Sequence, residues 1–289
     1  MNNYTQSSLV AILTYNEQSN IEACVKSVNA CFFNNIVVLD GGSTDETLQI
    51  IKSLSVEQIV KSGSSISERR SMALDLAIER NFEFVLFVDA DQRLLDKETQ
   101  QKANQLFDKE PLLAGIHLNL VTPNEPAHYN YWQMGFYSRH SLITGNFSEK
   151  SVIGTPCFFK IDIVKQFKYN HGQINGPSDD TLFCKQITSK NYKLISAPIN
   201  CTEIVRASFS STVRKAYWYG IGDAEYIINE TNVKNRKNHL FHVLVRNSLI
   251  NPFKNLNKLF FFYLIFGMGR MSGFLYYYMF RPSKYLNKS

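Results

Sequence analysis

Three short apolar runs mark the first part of the chain: Leu9–Leu13, Ile36–Leu39 and Phe84–Val88. Each is continuous rather than alternating and rich in β-branched residues. Strands buried on both faces of a parallel sheet read this way, because neither face has to show polar side chains to water. Helical stretches fall between them, opened by one recurring signal, Ser-x-x-Glu, at Ser19/Glu22, Ser43/Glu46 and Ser65/Glu68. In such a box the serine oxygen accepts from the third residue's N–H and the glutamate reaches back to the serine N–H. Strand then capped helix, repeated, predicts βαβ units and the front half of an open α/β sheet.

Beyond Asp91 the pattern loosens. Lys97–Lys109 predicts a surface helix, Ala114–Val121 an alternating strand, Pro177–Ser189 a short helix and Ser211–Asn229 a longer one. Residues 122–152 hold Pro123, Pro126, Gly135 and Gly145 among many aromatics and read as irregular chain near a ligand. Phe253–Phe280 is a long apolar stretch.

With 289 residues and 44% apolar content, a substantial core is available and general disorder is excluded. The five cysteines are odd in number and scattered, with no C-x-x-C, so buried reduced thiols are expected rather than disulfides or a thiolate metal site. No leading segment joins a basic start, an apolar stretch and a small-residue cleavage site, so no secretion signal is expected. The net charge of +6 hides an asymmetry. Residues 206–289 carry 13 Lys+Arg against 3 Asp+Glu, and 18 of the 38 aromatics. A basic, aromatic tail on a mildly acidic body points to an anionic surface, with a membrane face the natural candidate.

In an open α/β sheet, ligands bind beyond the carboxyl ends of the strands. Those ends read Thr14-Tyr15-Asn16-Glu17, Asp40-Gly41-Gly42-Ser43-Thr44-Asp45 and Asp89-Ala90-Asp91. Asp89 and Asp91, at i and i+2, share one side of an extended strand, where two carboxylates suit a hard cation such as Mg²⁺ or Mn²⁺. Asp40 precedes two glycines that let the chain turn sharply. Arg69 and Arg70 sit at a helix start, which disfavours cations and so calls for an anionic partner.

These segments, in this order, resemble the family 2 glycosyltransferases with a GT-A fold. Val10–Glu17 resembles their opening strand and Val38–Asp45 their D-G-S-T-D segment. Arg70–Ala77 resembles their R-N-x-G-x-x-x-A helix, with Ser71 and Ala73 replacing Asn and Gly. Phe87–Asp91 resembles their D-x-D strand end. Asp179–Phe183 resembles their E-D-x-x-L base motif, with Asp for Glu. The resemblance covers about residues 8–220.

It implies an α/β fold: a GT-A-type open mixed sheet with helices on both faces, plus a C-terminal helical, membrane-associating extension. Residues 1–220 would be the catalytic domain, with a nucleotide-binding half to about 95 and an acceptor half over about 96–220. Residues 221–289 would be a basic, aromatic helical region. Asp91 would ligate the metal with Asp89 as helper. Thr14, Tyr15, Glu17, Asp40, Arg70, Asp89 and Ala90 would contact the nucleotide sugar, with Asp40 accepting from a base N–H. Asp180 would be the general base and Asp179 its neighbour, orienting the loop or binding acceptor. Gly154–Lys160 resembles a strand lining donor sugar or acceptor.

The implied activity is metal-dependent, inverting transfer of one sugar from a nucleotide-sugar donor, a UDP-sugar first, to a hydroxyl of a lipid-linked or cell-envelope glycan. The cofactor is Mn²⁺ or Mg²⁺. No Q-x-x-R-W of processive synthases is present, which favours single-sugar addition. No nucleic-acid partner is implied, and the aromatic tail could serve a homodimer.

One departure concerns the metal. Related enzymes often place a histidine some dozen residues before a Tyr-Gly pair. Tyr219-Gly220 is present, but Thr202–Ser208 upstream has no histidine, leaving Glu203 or Arg206 in that place.

Leu259–Phe280 has one charge, Arg270. A mid-span arginine costs about 2.5–3.5 kcal/mol on insertion scales. The expectation is helices lying on the membrane through about 250–289, at the inner face of the plasma membrane of a cytoplasmic protein. Packing on protein and a true span stay open. So do two other functions. A sugar-nucleotide nucleotidyltransferase usually has a glycine-rich, lysine-containing loop that Thr14–Glu17 lacks. A non-catalytic membrane adaptor would not need Asp91 and Asp180.

Overall fold

The computed structural model describes residues 7–123, 129–140, 148–169, 179–230, 232–254 and 258–280. The chain divides into two compact units. One comprises Met1–Pro123, His140–Tyr169 and Phe183–Ile204; the other comprises Asn124–Arg139, Asn170–Leu182 and Val205–Ser289.

The first unit is built on a mixed sheet. Its strands are β1 (Ser8–Thr14), β2 (Ile36–Asp40), β3 (Glu57–Val60), β4 (Phe84–Asp89), β5 (Gln92–Leu94), β6 (Leu113–Leu120), β7 (Ser148–Lys150), β8 (Cys157–Lys160) and β9 (Lys193–Glu203). They lie in the order β3-β2-β1-β4-β8-β6-β9-β5, with β7 also paired to β9. β1 runs parallel to β2 and β4, and β8 runs antiparallel to β4 and β6. The helices are α1 (Ile21–Ala30), α2 (Thr47–Ser53), α3 (Ile66–Glu79), α4 (Thr99–Lys109) and α6 (Ile161–Val164), with most of α7 (Asp179–Ser189).

Alternate residues of β1 enter two different cores. Val10 and Ile12 join Cys24, Val25 and Val28 of α1 and Phe107 of α4. Leu9, Ala11 and Leu13 join Ala73, Leu74 and Ala77 of α3. Helices therefore cover both faces, which is why the strand reads as an unbroken apolar run. Truncating one such leucine to alanine costs about 2–5 kcal/mol. The same cover corrects the expectation for β6. Its sequence alternates, yet all eight positions are buried, including His117 and Asn119.

Of the three expected capping boxes, one forms. Ser65 Oγ accepts from Glu68 N while Glu68 Oε2 accepts from Ser65 N. The other two do not, because their partners are engaged elsewhere. Asn20 caps α1 by position and Glu22 pairs with Lys26; Ser43 donates its hydroxyl to Asp40.

The second unit is helical: α5 (Tyr131–His140), α8 (Phe209–Asn229), α9 (Val233–Phe241), a π-helical segment His242–Ile250, α10 (Asn251–Lys254) and α11 (Phe260–Phe280). The expectation of irregular chain over 122–152 is corrected by α5. Gly135 lies inside this helix, where a Cβ would lie 2.2 Å from the Phe262 ring, so the glycine admits that ring.

The glycines of the C-terminal stretch have the same explanation. A Cβ at Gly220 would lie 1.9 Å from Arg270 O, and one at Gly273 would lie 2.0 Å from Tyr217 O. Helices α8 and α11 thus meet backbone to backbone. Arg270 pairs with Asp223 of α8 through Nε (2.5 Å) and Nη2 (2.7 Å). Phe261, Met268, Leu275 and Met279 stay exposed at helical spacing on α11. Among the described residues, no helix is long and apolar enough to cross a membrane.

Candidate active site

Because β1, β2 and β4 are parallel, their carboxyl ends share one edge. Registers pair Thr14 with Asp40 and Leu13 with Asp89. One further bond continues each ladder, Gly41 N to Thr14 O (3.0 Å) and Ala90 N to Leu13 O (3.1 Å). Asp40, Thr14 and Asp89 therefore stand side by side, as the three strand ends implied.

Asp40 is fully buried and holds its own turn. Its Oδ1 accepts from Gly42 N and Ser43 N, both at 2.7 Å, and its Oδ2 from Ser43 Oγ at 2.5 Å. Gly42 has φ +96°, and a Cβ there would strike the Ser62 backbone at 2.8 Å, so this turn requires glycine. The loop after β2 is tied to the loop after β1. Asn16 N donates to Ser43 Oγ, Glu17 N to Thr47 Oγ1 and Thr44 N to Asn16 Oδ1, each at 2.8 Å. Asp45 adds Gln18 N and Thr47 to the same seam. Burial pushes its carboxyl up, but the Thr47 and Gln18 donors outweigh this and hold it below the ordinary range. Glu17 Oε2 accepts from Asn20 Nδ2, and Tyr15 is exposed above the edge.

Both arginines at the start of α3 are buried. Arg69 Nη1 donates to Ser64 O at 2.8 Å. Burial pulls the pKa of this guanidinium down; Asp40 and Asp89 oppose the shift and Arg70 adds to it. Arg69 thus lies in the field of the carboxylate edge. The sequence resemblance pointed to Arg70 and gave no signal for Arg69. Two polar atoms here, Thr14 Oγ1 and Arg69 Nε, are buried without a hydrogen-bond partner among the described residues. Both atoms are open to completion by water or by an external group, as are five other buried polar atoms elsewhere among the described residues.

At the end of β4, Asp89 and Asp91 are half-buried and flank the buried Ala90. Asp89 N donates to Gln92 Oε1 at 3.0 Å, and Thr155 Oγ1 donates a short hydrogen bond to Asp89 Oδ2. Ile204 N donates to Asp91 O at 2.8 Å, so the end of β9, with Glu203, lies along the same segment. Beneath them Cys24 is fully buried, and burial pushes its thiol up to about 12, with Asp91 and Asp89 adding and Arg93 opposing. It stays protonated, so the donor set at this edge is oxygen only. All five cysteines are buried and free, as expected.

Two neighbouring carboxylates fit a hard divalent cation that completes its shell with water and phosphate oxygens. Among the described residues, no group of three or more His, Cys, Asp or Glu side chains could hold a metal by itself. His117, from β6, contacts Pro156 O at 3.3 Å, and burial pulls its imidazole down to about 4, with Lys150 adding. It is a neutral packing histidine.

Asp179 and Asp180 open α7 in the second unit, Asp179 buried and Asp180 half-buried, where the helix dipole favours carboxylates. Residues 170–178, with the expected Pro177-Ser178 start, lie outside the described residues. A cavity of about 400 Å³ at the opposite edge, among the strand starts, is lined by Glu57 and Arg80, which satisfy each other at 2.6 Å. It brings no reactive groups together.

The mixed sheet with helices on both faces has the GT-A type of fold. The sequence profile of glycosyl transferase family 2 matches residues 9–167, and the chain belongs to that family. An uncharacterized glycosyltransferase of Rickettsia typhi is 31% identical over 96 residues, 33% of this chain and 31% of that one. The glycosyltransferase SunS of Bacillus subtilis, from prophage SPbeta, is 36% identical over 94 residues, 32% of this chain and 21% of that one. The matches thus span about a third or less of these relatives. In fold, the chain is similar to the mannosyltransferase PcManGT of Pyrobaculum calidifontis in complex with GDP-Man and Mn²⁺. The TM-score is 0.62 at 15% identity, covering 95% of this chain and 87% of that one. It is also similar to S. aureus TarS 1–349, with TM-score 0.54 at 16% identity, covering 94% and 91%.

Proposed function

We propose that the protein is a glycosyltransferase that moves one sugar from a nucleotide-sugar donor to a hydroxyl of a lipid-linked or cell-envelope glycan, with inversion. The observation that carries this is the row of Asp40, Thr14 and Asp89 at one sheet edge, with Asp91 beside it and a buried arginine whose Nε lacks a partner. A diphosphate is the anion that the arginine and the two carboxylates could share, the carboxylates through a cation. Asp89 and Asp91 would hold Mn²⁺ or Mg²⁺. When bound, the cation neutralises charge on the departing diphosphate.

The chain's own residues do the rest. Arg69 and Arg70 supply donors to phosphate oxygens. Thr155 fixes the Asp89 carboxylate. Thr14, Tyr15 and Glu17 line the nucleotide side, and Asp40 holds the turn against which the base would pack. Asp180 takes the acceptor's proton as the hydroxyl attacks the anomeric carbon from behind, with Asp179 orienting the loop or binding acceptor. UDP-sugars are the first donors to test.

Slow Mn²⁺-dependent hydrolysis of a UDP- or GDP-sugar is expected of the chain, and Asp91→Asn should lower it at least 100-fold. Equal turnover in EDTA would sink the reading.

The exposed face of α11 supports a resting place on the inner membrane surface. Arg270 is turned away from solvent into its pair with Asp223, so this face is apolar rather than charged. Lys254 and Lys258 sit next to it in sequence and would meet anionic headgroups. Met268→Glu with Leu275→Glu should abolish flotation with anionic liposomes. Unchanged flotation would reject the membrane contact and leave the transfer reaction untouched.

A further inference from the structure

The helical unit contains a second polar cavity, of about 250 Å³. Arg139 near the end of α5, Tyr219, Asp223 and Tyr226 of α8, His239 of α9 and Arg270 of α11 line it. The three α8 residues are spaced i, i+4, i+7 and so share one helix face.

The charges in this lining do not balance. Two guanidiniums and an imidazole face one carboxylate. Asp223 is committed already, accepting from Arg270 twice and lying 2.9 Å from His239 Nε2. Burial pushes the Asp223 carboxyl up, but the Arg270 and His239 contacts outweigh this and hold it below the carboxylate range. Arg139 instead rests on aromatic faces, 4.0 Å over the Phe266 centroid and 5.8 Å over Tyr219. Burial pulls the pKa of this guanidinium down and Arg270 adds to that, while Tyr219, Tyr263 and Asp223 oppose it without a hydrogen-bonded pairing to Asp223 being formed. The cavity therefore holds one full positive charge more than its lining compensates. A desolvated cation is costly unless an anion meets it.

We propose that this cavity binds a phosphate group. Its donors come from separate helices: Arg139 and the hydroxyls of Tyr219 and Thr181, which also lines it. Divergent donors suit the tetrahedral oxygens of a phosphate better than the planar pair of a carboxylate. The volume equals about eight waters by their share of the liquid, enough for a phosphate and a short ester. The site does not depend on the transfer reaction proposed above.

The test is residue-resolved. Inorganic phosphate is titrated into the full-length chain while the arginine side-chain Nε–Hε signals are followed by NMR. The Arg139 signal is identified by its loss in Arg139→Gln, or in Arg139→Lys should the first variant not fold. A saturable shift of that signal at millimolar phosphate, absent with chloride at equal ionic strength, is the expected result. No shift, or the same shift with chloride, overturns the proposal. Parallel titrations with glycerol 1-phosphate and with vesicles containing phosphatidylglycerol separate a soluble ester from a lipid headgroup: the source is whichever half-saturates at lower phosphate concentration.

Discussion

The Arg69 guanidinium fills the space that a side chain at Gly41 would need: a Cβ on Gly41 would lie 2.4 Å from Arg69 Nη1. The glycine after Asp40 is therefore a vacancy kept for an arginine from another element. Gly41→Ala should displace that guanidinium while sparing the fold. A charge-assisted hydrogen bond is worth about 1.5–3 kcal/mol, so UDP or GDP affinity in the presence of Mn²⁺ should fall about 10- to 100-fold. Calorimetric titration measures it, and Arg69→Ala should match it. Wild-type affinity in both variants would remove Arg69 from the site.

Asp180→Asn separates binding from chemistry. Loss of a general base costs about 10²–10⁴-fold in rate, so sugar transfer should collapse to that extent while donor affinity holds. Full transfer activity in this variant would exclude Asp180 as the base.

The α8–α11 contact predicts a rank order. Gly220→Ala meets a backbone carbonyl at 1.9 Å, whereas Gly269→Ala meets the Ala216 methyl at 3.0 Å. Overpacking costs about 1–3 kcal/mol, and a backbone neighbour yields least. Thermal melts should show the larger loss for Gly220→Ala; the reverse order would contradict the contact.

His117 gives the fold a pH dependence. Its imidazole titrates near 4 when folded, against an ordinary value of 6.5. A depressed folded pKa means its contribution is complete above pH 6.5 and is lost as pH falls toward 4. Urea unfolding should show stability declining through that window with a slope approaching about 1.4 kcal/mol per pH unit. His117→Gln should flatten this part of the profile, and an unaltered slope would assign it to other groups.

What was legible in the sequence follows from local physics. β1, β2 and β4 announced themselves because burial on both faces leaves no polar interruptions. β9 did not, because its sequence breaks the run. Pro198 falls where the register to β6 slips, between Ala197 opposite Leu118 and Asn200 opposite Asn119, and it is exposed there. A proline is tolerated at such a bulge, but only the pairing reveals it. At the site, the carboxylates could be read from strand ends, while Arg69 could not be told from Arg70 without knowing which neighbour is a glycine in space. In the tail, basic and aromatic content points to a membrane face, and the glycines carry no sequence mark of their role. Their immediate neighbours are backbone and ring atoms of the chain itself, something a sequence shows only when the partner helix is known.

The close approach of α8 and α11 at Gly220 and Gly273 also has a mechanical meaning. Most helix pairs are separated throughout by a layer of rotamers that can yield. Here the backbones touch at two points along the contact, so the pair is pinned there with no rotamer layer to give. Arg270 and Asp223 are fixed across it, and the cavity that they line is framed by it. A displacement of α11 at those points would have to move α8, and with it the Asp223 that lines the cavity.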